Sequence, residues 1–86
     1  MAIKHLTTEE EFKKEVMDTT GIVIVDFWAP WCGPCKKMER DVFTEPMVAE
    51  YFDENFISLQ EHTDVSGNFL ASKFEVAAYP TLIYLN

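Results

Sequence analysis

Eighty-six residues with 48% hydrophobic and 14% aromatic content describe one small domain, residues 1–86, with a core rather than a disordered chain. Seven basic against fifteen acidic side chains leave a formal charge of −8, which repels a phosphate backbone and argues against nucleic acid as a partner. No apolar run approaches the roughly 20 residues needed to span a bilayer, so no membrane partner is expected.

Met1–Glu10 has neither an apolar h-region nor a cleavage site, so the expected location is cytoplasmic, a processed periplasmic form being equally compatible with these residues. Ile3–Leu6 reads as a short first strand. Thr7 and Thr8 precede Glu10 and Glu11, two overlapping capping-box signatures, and Phe12 and Val16 make an inward stripe on the helix that follows. Asp18-Thr-Thr-Gly21 stops that helix, with Gly21 suited to a left-handed cap. Ile22–Trp28 is continuous, β-branched and aromatic, the pattern of a central strand covered on both faces. Helix resumes near Cys32 with Met38 and Val42 inward, breaks around Phe43-Thr-Glu-Pro46, and restarts over Met47–Glu54 with Val48 and Phe52 on one side. Phe56–Gln60 is a third strand. Thr63–Gly67 is a loop offering Asp64 or Ser66 as an N-cap, and Asn68–Phe74 is a short helix burying Leu70 and Phe74. Tyr79–Asn86 is a fourth strand. The order β-α-β-α-β-α-β is that of an α/β sheet with crossover helices.

Both cysteines fall within Trp28-Ala-Pro-Trp-Cys-Gly-Pro-Cys-Lys36, where the second strand gives way to helix. Two thiols at this spacing can close a small disulfide ring. A thiol at a helix N-terminus also has its thiolate favoured by free backbone N–H groups and the positive end of the dipole. A pair of cysteines cannot build a multi-bridge scaffold, and Cys-x-x-Cys beside a βαβ pattern reads as a redox motif; the bland alternative is two buried, inert thiols. Lys36, Lys37 and Arg40 follow directly, a solvated basic face that can also help hold Cys32 as thiolate. Asp26 is the anomaly of its strand. Burial there disfavours the charged form and raises the pKa, which suits a proton carrier for Cys35, unless the residue sits at a strand end and reaches solvent. His5 and His62 nominally complete a four-ligand set with the cysteines, but their separation fits no short zinc motif; both read as surface histidines, with no metal expected.

Val25-Asp-Phe-Trp-Ala-Pro-Trp-Cys-Gly-Pro-Cys-Lys36, followed further on by Tyr79-Pro-Thr-Leu82, resembles the thioredoxin family along essentially the whole chain. Cys35–Phe52 looks more like that family's bacterial thioredoxin-like branch, which often interrupts the active-site helix with a phenylalanine and a proline near the break. The resemblance implies a thioredoxin-like fold, a central mixed sheet flanked by helices, and a thiol–disulfide oxidoreductase that reduces protein disulfides. It implies Cys32 as nucleophile, Cys35 as resolving thiol, and Asp26 as manager of the proton, usually through water. Gly33 and Pro34 would shape the turn and go with a reducing potential. Pro80 would be a cis-proline opposite the cysteines, with Tyr79 offering its backbone to an extended substrate; an ordinary trans proline opening an edge strand is the alternative. Trp31 would lie exposed beside Cys32 as docking surface, and Trp28 would pack. Tyr79 is bulkier than the small aliphatic residue often found there, which implies a different substrate preference. No bound cofactor is implied, since electrons arrive from a partner reductase.

Two departures set further expectations. The family continues past a fourth strand with a fifth strand and a final helix, neither of which is in this sequence. The expectation is a C-terminally truncated fold in which Thr81–Leu85 is an exposed edge, with homodimer formation through that strand or reduced stability. The third strand also lacks the lysine that commonly neighbours the buried aspartate. Gln60 is the nearest polar candidate, and Asp26 loses a cation that would lower its pKa. The alternative function is a redox-inert or truncated interaction module of the same fold; the intact Cys32, Cys35 and Asp26 favour the enzyme.

Overall fold

β2 (Ile22–Trp28) is apolar on both faces apart from Asp26, and a strand of that composition is stable only with neighbours on each side and helices above and below. The computed structural model, which describes residues 1–63 and 68–86, gives it that place: the sheet order is β1-β3-β2-β4. β3 (Phe56–His62) runs parallel to both β1 (Ile3–Leu6) and β2, while β4 (Thr81–Leu85) is antiparallel to β2. The sheet is therefore mixed. Among the described residues β4 has a strand partner on one side only, and its Tyr84 is exposed.

Alternation along β2 divides the molecule. Val23, Val25 and Phe27 join Leu6, Phe12, Leu59, Leu70 and Ala71 in the main core, to which α1 (Glu9–Asp18) and α4 (Asn68–Lys73) contribute. Ile24, Asp26 and Trp28 face the other way. No helix among the described residues is long and apolar enough to cross a membrane.

The start of α1 shows why the helix begins where it does. Thr8 stays extended and its Oγ1 accepts the Glu11 backbone N–H at 3.1 Å. Both threonine hydroxyls donate back to the Glu11 carboxylate, Thr7 at 2.8 Å and Thr8 at 3.1 Å, which holds that carboxyl below its ordinary pKa. Thr8→Ala is expected to cost about 1 kcal/mol, read as a lower denaturant midpoint; an unchanged midpoint would show that the cap contributes nothing. The other end differs from expectation. Gly21 is not a left-handed cap, and no described glycine has positive φ. Thr19 closes the helix instead, in extended conformation, its hydroxyl donating to the Glu15 carbonyl at 2.7 Å. The left-handed position falls on Glu75 (φ 56°), where the paired bonds Val76 N–H to Ala71 O and Glu75 N–H to Ser72 O close α4 in a Schellman arrangement.

The interrupted helix forms as α2 (Gly33–Asp41) and α3 (Pro46–Asn55), with Pro46 on the first turn of the second, where its missing N–H costs nothing. Met38 is half-buried, but Val42 is exposed and Phe43 is buried in its place. The reason is the helix end: Val42 makes the last i→i−4 bond, to the Met38 carbonyl, and Phe43 N–H takes the same carbonyl one residue further on, so the turn widens there and Phe43, not Val42, is carried inward. On α3, Val48 and Phe52 are half-buried and no side chain is fully so. Its outer end builds a ring cluster in which Phe56 meets Phe52 at 5.4 Å and both Tyr51 and Tyr84 at 5.9 Å. The expected N-cap at Asp64 or Ser66 lies outside the described residues.

Candidate active site

β2 ends at Trp28, and the chain turns through Ala29-Pro-Trp before helix resumes. Cys32 N–H bonds to Ala29 O at 3.0 Å, which leaves Cys32 extended (φ −87°, ψ 100°) as the N-cap of α2. Its Sγ takes the part usually played by a serine or aspartate oxygen, accepting the Cys35 backbone N–H at 3.1 Å. Pro34 sits in the first turn, where no backbone bond is lost. A Cβ added at Gly33 would meet nothing within 4 Å, so this glycine answers no packing demand. The two cysteines are joined, Sγ to Sγ at 2.08 Å, so the form described is the disulfide. Their exposures, 3% for Cys32 and 6% for Cys35, do not tell them apart. Position on the helix does: one sulfur caps the N-terminus and the other lies inside the first turn.

Around the pair, Ala29, Cys32 and Cys35 form a small buried cluster against which Trp28 and Tyr79 pack. Trp31 is 64% exposed, and its ring meets that of Tyr79 edge to face at 5.6 Å. The Tyr79–Pro80 bond is cis. Of the three cations after the motif, Arg40 is paired with Asp41 at 2.8 Å, whereas Lys36 and Lys37 are exposed.

Asp26 is not at a strand end. It pairs in register with Gln60 on one side and Leu82 on the other, and is 6% exposed. Gln60 Nε2 donates to its Oδ2 at 3.2 Å, and Oδ1 has no hydrogen-bond partner among the described residues. Burial pushes the carboxyl above its ordinary pKa; the Gln60 bond opposes this and the charge of Glu39 adds to it. Gln60 thus stands where the sequence placed it, as the polar neighbour of the aspartate.

Other residues escaped sequence reading. His62 is not a free surface histidine: it is half-buried, its ring 4.8 Å from Trp28. Glu61, opposite both Leu6 and Phe27, is fully buried, and nothing in the strand's composition marks it as interior. Glu39 carried a readable signal, since it lies one turn beyond Cys35 and so on the same side of α2.

A cysteine pair that caps a helix at the C-terminal end of a central strand, with a buried carboxylate in that same strand, defines the class of thiol–disulfide exchange proteins. The family model described as thioredoxin matches residues 3–86, and the chain belongs to the thioredoxin family. It is 35% identical over 83 residues to thioredoxin 1 of Synechococcus elongatus, 38% over 83 to thioredoxin 1 of Nostoc sp., and 36% over 83 to the thioredoxin of Synechocystis sp.. Each match covers 96% of this chain and 74% of the relative. Its function is thiol–disulfide oxidoreduction; thioredoxins act on disulfide-containing protein substrates and are reduced by a reductase.

Proposed function

We propose that Cys32 is the attacking thiol, Cys35 the resolving thiol and Asp26 the proton carrier in reduction of protein disulfides. The observation that carries the assignment is the helix N–H donated to the Cys32 sulfur at 3.1 Å, since a donor there favours negative charge on that sulfur. In the reduced protein the Cys32 thiolate attacks one sulfur of a substrate disulfide. A mixed disulfide forms, and one substrate sulfur leaves as thiolate and takes a proton from solvent. Cys35 then gives its proton to the Asp26 carboxylate and attacks Cys32 Sγ. The Cys32–Cys35 bond forms, the second substrate sulfur leaves as thiolate, and two electrons have passed to the substrate. Gly33, Pro34, Trp31, Tyr79 and Pro80 make the docking surface, supported by the Trp31–Tyr79 ring contact beside the sulfurs. A reductase returns the electrons.

The test is reduction of insulin disulfides with dithiothreitol, wild type against Cys32→Ser. The variant is expected at the rate of dithiothreitol alone, and equal rates sink the assignment. The proposal extends to residues 1–86 acting as one domain and to a reducing compartment, the cytoplasm, supported by a cysteine content limited to this one pair. It extends also to homodimer formation through the edge of β4 that has no strand partner among the described residues, supported by that edge and the exposed Tyr84. Light scattering after size exclusion is expected to show a mass that rises with concentration; a constant monomer mass counts against the dimer.

A further inference from the structure

Asp26 is the inner end of a polar row that crosses the sheet. His5 stands opposite Gln60, and Gln60 opposite Asp26, so the three share one face, running from the exposed edge strand to the buried carboxylate. Above this row lies a cleft of about 280 Å³ between β1, α2 and the start of α3. Its lining includes the exposed His5 and Glu39 and the buried Gln60. Asp26 is one hydrogen bond further in, with Oδ1 unpartnered among the described residues. We propose that this cleft is the lateral route by which Asp26 passes its proton to solvent, with Gln60 orienting the carboxylate and Glu39 and His5 exchanging the proton at the mouth.

The proposal rests on Asp26 as proton carrier. Once Asp26 has taken the Cys35 proton it is a neutral acid, and it must lose that proton before it can serve again. Glu39 or His5 accepts the proton and releases it to bulk water. A buried carboxyl that burial and the Glu39 charge hold above its ordinary pKa retains its proton longer, so a built route matters more here than for an exposed acid. The groups facing Asp26 from the elements around it are few. Among the described residues α2 supplies Glu39, β1 supplies His5, and Met1 also lines the mouth. Gln60, Leu82 and Ala49 carry no charge. Glu39 and His5 are exposed and lie outside the docking surface, so their replacement tests the route without disturbing the fold.

The experiment uses Glu39→Gln, His5→Leu and the double variant, with Asp26→Asn as reference. The carbon NMR titration of the Asp26 carboxyl in Glu39→Gln is expected to move down, toward the ordinary carboxylate range, because a negative charge that raises it is gone. In the double variant, release of the second substrate thiol in a single turnover is expected to slow several-fold in dilute buffer and to recover on addition of imidazole. An unmoved titration, or a double variant of wild-type rate, overturns the lateral route. So does a slow variant that imidazole does not rescue, because that behaviour marks a structural defect. If Asp26→Asn itself leaves the pH profile of thiol release unchanged, the carrier assignment falls first and takes the route with it.

Discussion

Cys35→Ser is expected to convert a turnover protein into a covalent trap. Cys32 keeps its helix-capping position and can still attack a substrate disulfide, but the mixed disulfide then has no neighbouring thiol to resolve it. Insulin reduction should fall to the dithiothreitol background. Mass spectrometry without reductant should show one substrate chain bonded to each protein molecule. The chemical asymmetry behind this comes from position rather than accessibility, since both sulfurs are nearly buried in the disulfide form. Trapping by Cys32→Ser in place of Cys35→Ser would reverse the roles and remove the case for the cap as activator.

Asp26→Asn is expected to stabilise the protein at neutral pH. Burial raises the carboxyl of Asp26 in the folded state, so the folded protein binds this proton more tightly than the unfolded chain does. Wild-type stability from this residue is therefore complete at pH below the ordinary carboxylate range and is lost as pH rises through the raised folded value. Above that value the deficit is at its full size, set by how far burial raises the carboxyl. Asparagine keeps an acceptor for Gln60 and carries no charge, so its advantage should open as pH rises and vanish in acid. Urea midpoints measured across pH decide the matter. Curves that coincide at neutral pH, or a wild type that gains on the variant as pH rises, would show that Asp26 is not under strain from burial.

Much of the site was written locally in the chain. The cysteine spacing, the strand before it and the proline inside the first turn set the geometry of Cys32 without distant help, and Ile22–Trp28 declared its own centrality. Asp26 was legible because a lone carboxylate in such a strand has few other readings. Gln60 followed as the nearest polar residue in a third strand that lacks the lysine the family resemblance implies. What sequence could not supply was lateral placement. The face-sharing of His5, Gln60 and Asp26 depends on registers across β1, β3 and β2, and no periodicity within one strand encodes those. The two local errors have a common cause. Gly21 and Val42 were assigned roles by residue type and spacing, whereas the helix ends were decided by a hydroxyl–carbonyl bond at Thr19 and a shared acceptor at Met38.

The break after Asp41 has a consequence of its own. It leaves α2 nine residues long, too short to persist as an isolated helix in water. Yet the field that acts on the Cys32 sulfur comes from the first turn alone, so the shortening takes nothing from it. What aims that turn is the anchorage of its two ends, the cysteine pair at one and the buried Phe43 at the other. α3 and its ring cluster lie beyond the second anchor. The electron-carrying end thus works as a compact cassette, and the ring cluster at the outer end of α3 is left free to diversify its surface without retuning the sulfur chemistry.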